Sequence, residues 1–261
     1  LSEEWVFLIP NASNATEVLG VLASGAPDGV DVINLHHDFA VLAVQGPDSP
    51  ALLRDLGLPT DLDYMAFQHV EHAGFDMTVC RTGYTGETGF ELVVPWAEAG
   101  RVWDALLEKG AAYGALPCGL GARDTLRTEM GYPLHGQDLS RDITPVQARA
   151  GWAVGWSKPA FHGRDALLAE KESGPARRSV GLVSLDRAIS RQHMAVTTAD
   201  GTVIGEVTSG TFSPTRKVGI ALALVSTAAG LAEGDEVLLD VRGRPARFAV
   251  SNPPFVESHV R

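Results

Sequence analysis

Three closely spaced glycines lead directly into an apolar run, and this junction constrains the fold more than any other stretch of the sequence. The segment reads Arg81-Thr-Gly-Tyr-Thr-Gly-Glu-Thr-Gly-Phe-Glu91, and Leu-Val-Val-Pro95 follows at once. Glycines at this density allow backbone conformations that other residues avoid, and they let a neighbouring surface approach closely. The pattern therefore predicts a tight loop followed by a strand.

Glu91 is a carboxylate inside this apolar strand. Side chains alternate along a strand, so Glu91 and Val93 share one face, opposite to Phe90 and its even-numbered neighbours. An ionised carboxylate is costly to bury without a partner. Its two coplanar oxygens suit a planar ligand with two parallel N–H donors, such as the edge of a pterin or a guanine. The alternative is a surface strand on which Glu91 is solvated.

Length and composition indicate a globular protein of one large domain or two ordinary ones. The 261 residues are 45% hydrophobic and 20% charged, which is enough apolar material for a sizeable core. The formal net charge of −11 argues against non-specific binding to nucleic acid or to an anionic membrane. No apolar stretch reaches the roughly 18 residues of a membrane helix, and no signal peptide is visible. We expect neither a nucleic-acid partner nor a membrane partner.

The cysteines and histidines show no disulfide or metal pattern. Cys80 and Cys118 form no CxxC pair, and each is interpreted as a small packed residue in a reducing compartment. The histidines lack the HExxH and HxH spacings, so we expect no metal. Hydrolase, Walker and dinucleotide-binding glycine motifs are also absent from the sequence.

The predicted elements differ between the two parts of the chain. Apolar runs predict strands at residues 5–9, 32–35, 39–44, 67–70, 76–80 and 90–94, and capping and turn residues predict helices at about 15–24, 51–56, 95–109, 121–130 and 164–171. After a linker at 172–178, short strands separated by turn residues are predicted at 180–185, 196–198, 203–208, 218–224, 236–241 and 246–251. This spacing is typical of a small antiparallel barrel or sandwich. The predicted fold is an α+β body over residues 1–172 followed by an all-β domain over residues 173–261.

Two polar segments have both a functional and a structural interpretation. Arg123 and Arg127 lie four residues apart on one helix face, so they could bind a carboxylate or fix the strand that carries Glu91. The alternative is an ordinary solvated charge run. Thr208–Thr215 is interpreted as a structural turn whose hydroxyl groups satisfy local backbone groups.

Three motifs in this sequence closely resemble those of one known family and occur in the same order. The motifs are Arg81–Pro95, the segment Pro117–Gly136 with its Gly-Ala-Arg-Asp helix, and the segment Gly205–Thr215. Together they resemble the aminomethyltransferases of the glycine cleavage system, the T-proteins. Shorter matches occur in the same order at Ile9–Asn14, Val44–Pro47 and Pro254–Val256. The resemblance covers essentially the whole chain.

This resemblance implies a folate-binding α+β body followed by a small C-terminal β-barrel. It implies transfer of an aminomethyl group from the dihydrolipoyl arm of a lipoylated H-protein to tetrahydrofolate. Ammonia and 5,10-methylenetetrahydrofolate would be released. Tetrahydrofolate is then a co-substrate, the H-protein is the partner, and no metal is needed.

The resemblance also assigns site residues. The family's pterin-binding glutamate falls on Glu91, in agreement with the two-donor argument. The motif tyrosine falls on Tyr84, which would form a wall of the folate site. The ligand-contacting arginine falls on Arg123, and an asparagine near the folate falls on Asn11. Trp152 also matches a family position and is expected to line the cavity.

Two departures from the family concern the ends of the chain. Family members carry about a hundred further residues upstream, including the aspartate credited with proton handling at the folate. That segment is absent from this sequence, so no catalytic residue is identified. We expect either that the sequence lacks the beginning of the protein or that the chain is inactive as it stands. At the other end, Glu257-Ser-His-Val260 stands where some members have a tyrosine.

Two alternatives share the same motifs. One is the folate domain of a dimethylglycine or sarcosine dehydrogenase, although the sequence has no flavin fingerprint. The other is a non-catalytic folate-binding protein of the same fold. The T-protein interpretation implies a bacterial cytoplasmic location, or the mitochondrial matrix in a eukaryote.

Overall fold

The chain folds as two compact units, and the computed structural model describes residues 4–261. The first unit contains the residues up to Thr82 together with Gly89–Leu116, and the second contains Gly83–Thr88 together with Pro117–Arg261. The glycine loop Gly83–Thr88 is therefore part of the second unit, although it lies between two strands of the first along the chain. The domain boundary near residue 172 stays a prediction.

An antiparallel sheet organises the first unit. The elements of the first unit are α1 (Ala15–Gly25), β1 (Phe39–Gln45), α2 (Ser49–Asp55), β2 (Phe67–His72), β3 (Phe75–Cys80), β4 (Gly89–Pro95) and α3 (Ala99–Gly110). The strand order is β1–β4–β3–β2, which places β4 inside the sheet. A tight turn joins β2 to β3, and its central residues Ala73 and Gly74 both have positive φ angles, as a type I′ hairpin turn requires.

The core of the first unit lies on one face of this sheet. Phe90, Leu92 and Val94 are each 0% exposed, and they pack in one cluster with Leu53 of α2 and Leu106 of α3. Burying side chains of this size contributes about 1.5–3 kcal/mol each. The period-two pattern of β4 therefore fixes which face of the strand is turned to the core, and Glu91 takes the other.

Two predicted strands in the first unit are wrong. Residues 5–9 and 32–35 are irregular, and Trp5 and Ile33 are 54% and 65% exposed. An apolar run becomes a strand only when a neighbouring strand satisfies its backbone groups. Neither run pairs with a strand among residues 4–261.

A closed antiparallel barrel organises the second unit. Two helices, α4 (Leu120–Glu129) and α5 (Arg164–Ser173), precede the strands β5 (Arg177–Ser184), β6 (Ala195–Thr197), β7 (Val203–Ser213), β8 (Val218–Ser226), β9 (Glu236–Asp240) and β10 (Pro245–Ser251). The barrel order is β10–β5–β8–β7–β6–β9. Leu182, Val207, Ala223 and Phe248 fill its interior and are fully buried. The predicted α+β body followed by a small barrel is confirmed.

The predicted turn at Thr208–Thr215 is wrong over most of its length. Strand β7 continues to Ser213 and pairs with β8 after a bulge between Val207 and Ser209. The hydroxyl groups of this segment do not simply satisfy local backbone. Instead, the Thr208 and Ser209 hydroxyls donate to a buried carboxylate outside the barrel strands. Within residues 4–261, no helix combines the length and the apolar character needed to cross a bilayer.

Candidate folate site

The strand β4 presents Glu91 on the sheet face opposite the core. Glu91 lies between Ala43 of β1 and Cys80 of β3 in the strand register. Its side chain is half-buried. The fully solvated alternative for Glu91 is therefore wrong.

The Glu91 carboxylate is held by one neighbouring hydroxyl. Thr82 Oγ1 donates a hydrogen bond of 2.6 Å to Glu91 Oε2. Within residues 4–261, Glu91 Oε1 accepts no hydrogen bond. A charge-assisted hydrogen bond of this length fixes the carboxylate while leaving acceptor capacity on both oxygens.

The pKa of Cys80 reflects the negative charge of Glu91 on the same sheet face. The pKa of its thiol is raised, first by burial and then by the negative charge of Glu91 on the neighbouring strand. A thiol with a raised pKa is protonated at neutral pH and is a poor nucleophile. Cys80 is therefore a packed residue, as the sequence interpretation expected, and it lies beside Glu91. The same interpretation is wrong for Cys118, which is exposed.

Tyr84 lies in the glycine loop of the second unit, and both its hydroxyl group and its ring contact neighbouring residues. Its hydroxyl donates to the carbonyl of Pro133 at 2.5 Å and to that of Tyr132 at 3.3 Å. Its ring stacks on the Tyr132 ring with centroids 5.5 Å apart. Burial is the main reason that the pKa of the Tyr84 hydroxyl is raised. Tyr84 is thus a neutral, rigid aromatic surface, which is what a wall for a flat ligand requires.

Arg123 of α4 extends this aromatic surface. Its guanidinium carbon lies 4.5 Å from the centre of the Tyr84 ring, in cation–π geometry. The structure therefore brings together two of the predicted site residues, Tyr84 and Arg123. Both belong to the second unit.

Arg127, four residues after Arg123, has a different role. It is 1% exposed and pairs with Asp138 at 2.7 Å and with Asp124 at 2.5 Å. A guanidinium bound in this way has no free fork for a ligand carboxylate. The joint ligand-binding role considered for the two arginines is therefore wrong for Arg127, and the solvated alternative is wrong as well.

Glu129 is a second buried charge at the end of α4. It is 2% exposed, it accepts a hydrogen bond from the Ser213 hydroxyl, and Thr215 donates to both of its oxygens. Ser213 ends β7, so this carboxylate fixes the helix that carries Arg123 to the barrel. Sequence reasoning missed the anchor because its partners lie 84 and 86 residues away.

The remaining predicted site residues are exposed. Asn11 is in an exposed stretch of the first unit, and no hydrogen bond joins it to Glu91 within the part of the chain that the structure describes. Trp152 of the second unit is 86% exposed in a short 3₁₀ turn. Their roles at the ligand stay predictions. Among the described residues, no group of three or more His, Cys, Asp or Glu side chains is arranged to hold a metal ion.

The C-terminal tail is attached to the glycine loop. The backbone N–H of His259 donates to the carbonyl of Gly86 at 2.7 Å, and the Thr88 hydroxyl donates to the carbonyl of His259 at 2.8 Å. The His259 ring lies 2.7 Å from Glu87, which is the main reason that the pKa of His259 is raised. The tail that departs from the family pattern in sequence therefore contacts the loop that carries Tyr84.

Two family descriptions match this architecture. The GCVT N-terminal domain matches residues 1–158, and the Glycine cleavage T-protein C-terminal barrel domain matches residues 177–257. The protein is thus of the class that joins a GCVT folate-binding domain to a closed antiparallel barrel of six strands.

Named relatives define the family more closely. An aminomethyltransferase of Parafrankia sp. is 60% identical over 98% of this chain and 70% of its own length. An aminomethyltransferase of Mycobacterium tuberculosis is 55% identical over 100% of this chain and 71% of its own length. The crystal structure of glycine cleavage system aminomethyltransferase T from Bartonella henselae matches with a TM-score of 0.86 at 37% identity, over 95% of this chain and 68% of that one. The chain belongs to the glycine cleavage T-protein family.

Proposed function

We propose that the protein transfers the aminomethyl group of a dihydrolipoyl H-protein to tetrahydrofolate, releasing ammonia and 5,10-methylenetetrahydrofolate. The observation that carries the proposal is the half-buried Glu91 carboxylate, which is held by Thr82 and accepts no hydrogen bond at Oε1 within residues 4–261. Membership of the T-protein family supports it.

Glu91 would recognise the flat head of the folate. Its two oxygens can accept the ring N–H and the exocyclic amino group of a pterin in one plane. Tyr84 and Arg123 of the second unit remain proposed folate contacts, and their neutral ring and guanidinium form an aromatic and cationic surface. Asn11 and Trp152 remain proposed contacts.

The chemistry exchanges two bonds at the methylene carbon for two others. The carbon loses its bonds to the amine nitrogen and the lipoyl sulfur, and it gains bonds to N5 and N10 of the folate. One folate proton ends on the sulfur and the other on the leaving amine. Holding both substrates in one orientation would supply a large part of the acceleration. The acid or base that moves these protons is not assigned to a residue of this chain.

Folate-dependent ammonia release tests the proposal. The intact protein is mixed with lipoylated H-protein loaded with an aminomethyl group, with and without tetrahydrofolate. We expect ammonia release that needs folate, and loss of most of that activity in Glu91→Gln. Glu71→Gln, which makes the same charge change at an exposed position of the same sheet, is the control.

Two other results would contradict the proposal. Folate binding without turnover would favour a non-catalytic folate-binding protein. Folate-dependent use of an imine derived from a methylated glycine, with no response to H-protein, would favour a dehydrogenase-type folate domain. We also propose a bacterial cytoplasmic location, which the bacterial origin of the named relatives supports.

A further inference from the structure

The orientation of the Glu91 carboxylate matters as much as its position. A ligand with two parallel N–H donors needs both oxygens in its own plane. The last torsion of a glutamate side chain is soft, so a carboxylate without a restraint samples many orientations. Thr82 supplies the restraint in this protein, because its hydroxyl donates to Glu91 Oε2 at 2.6 Å.

Thr82 is in turn fixed by a side chain from another strand. Gln45, the last residue of β1, donates from Nε2 to the carbonyl of Phe90 at 2.9 Å and to that of Thr82 at 3.3 Å. Phe90 immediately precedes Glu91 on β4. One amide group therefore holds the backbone on both sides of the Thr82–Glu91 hydrogen bond.

The Gln45 amide occupies space that only a glycine leaves open. Gly89 lies directly opposite Gln45 in the strand register. A Cβ added to Gly89 would lie 2.2 Å from Gln45 Oε1 and 2.4 Å from Gln45 Cδ. The φ angle of Gly89 is not positive, so alanine is compatible with the backbone here. Alanine at this position would displace the amide group and leave the strand intact.

We propose that Thr82 and Gln45 are positioning residues that fix the plane of the Glu91 carboxylate for two-point recognition of a ligand. Gly89 makes room for this arrangement. The inference rests on the proposed function in taking a reduced folate as the ligand. All four residues lie in the first unit.

Ligand binding to matched variants tests the proposal. In the intact protein, we expect Thr82→Val, which keeps the shape and removes the hydroxyl, to weaken tetrahydrofolate binding about tenfold, as loss of a hydrogen bond to a charged group does. Thr82→Ser keeps a hydroxyl and should stay within about threefold of the parent. Gln45→Leu and Gly89→Ala should also weaken tetrahydrofolate binding, but less than Thr82→Val does. Gln68→Leu, at an exposed position of β2, is the control.

A ligand analogue separates positioning from general damage. The 2-desamino analogue of tetrahydrofolate keeps only one of the two N–H donors, so it depends less on the carboxylate plane. Thr82→Val should therefore lower the preference for tetrahydrofolate over this analogue. Equal weakening of both ligands, or an equal loss in Thr82→Ser, would overturn the positioning role.

Crystal structures without ligand test the inference independently of the function. The Glu91 carboxylate should adopt one orientation in the parent and in Thr82→Ser, and several in Thr82→Val. A single unchanged orientation in Thr82→Val would refute the proposal even if folate binds. If Glu91→Gln binds tetrahydrofolate as tightly as the parent, the proposed function fails, while the crystallographic comparison still decides the positioning role.

Discussion

Removing the Asp138 carboxylate should strongly destabilise the second unit. This side chain is 2% exposed, and it accepts hydrogen bonds from Arg127 at 2.7 Å, the backbone N–H of Leu134 at 2.9 Å, Thr208 at 2.5 Å and Ser209 at 2.8 Å. These donors come from α4, from the segment after it and from β7. Asp138→Ala would leave all four donors without this acceptor, and three of them belong to buried residues.

The expected loss follows from the buried charge that remains. Arg127 is 1% exposed and keeps Asp124, but it loses its buried partner. Removing one member of a buried ion pair typically costs about 3–5 kcal/mol. Replacing both members with apolar residues, as in Arg127→Met with Asp138→Leu, should cost less than Asp138→Ala alone, because no unpaired charge is then buried.

Hydrogen exchange of the barrel strands β7 and β8 measures this loss in the unit concerned. At 3 kcal/mol or more, Asp138→Ala should speed exchange of their slowest amides by at least about 100-fold. Asp165→Ala is the control, since Asp165 is fully exposed and 3.7 Å from Arg164, and surface pairs are worth about 0–1 kcal/mol. Equal exchange in the Asp138 and Asp165 variants would refute the argument.

Two further predictions follow from the pKa shifts. The negative charge of Glu91 adds to burial in raising the pKa of Cys80. In a Cys118→Ser background, Glu91→Gln should therefore lower the pKa of Cys80 and speed its alkylation near neutral pH. An unchanged pH profile of alkylation would contradict the proximity of the two groups. The pKa of His259 is raised by Glu87, so the pairing of the two side chains stabilises the attached tail. This stabilisation is fully present below the unfolded histidine pKa of about 6.5, and it is lost as the pH rises through the higher pKa of the folded protein. Titration of the His259 ring by NMR should give a pKa above that of a model peptide, and Glu87→Gln should remove most of the difference, leaving the smaller contribution of Glu257.

Local pattern was sufficient for β4 and for the barrel. The alternation of Phe90, Leu92 and Val94 predicted the core face correctly, because a half-buried strand must separate apolar from polar side chains. It also placed Glu91 on the opposite face. The predicted strands at residues 5–9 and 32–35 were wrong because local apolar character does not supply a partner strand.

Residues with distant partners could not be assigned from sequence. Arg127 and Glu129 are typical of a solvated helix face, yet both are buried, Arg127 in an ion pair with Asp138 and Glu129 by hydrogen bonds from the end of β7 and the residues after it. The hydroxyl-rich end of β7 resembles a turn for the same reason, since Thr208 satisfies a carboxylate 70 residues earlier. Thr82 was missed because a threonine beside a glycine loop carries no local signal of its hydrogen bond to Glu91.

Calorimetry of tetrahydrofolate binding tests the central claim, that Glu91 binds the pterin head. In the intact protein, Glu91→Ala should weaken binding by about 2–4 kcal/mol, or roughly 30- to 1,000-fold, because two charge-assisted hydrogen bonds are lost. Glu71→Ala, on the exposed strand β2 of the same sheet, should bind as the parent does. Unchanged affinity in Glu91→Ala would contradict the account.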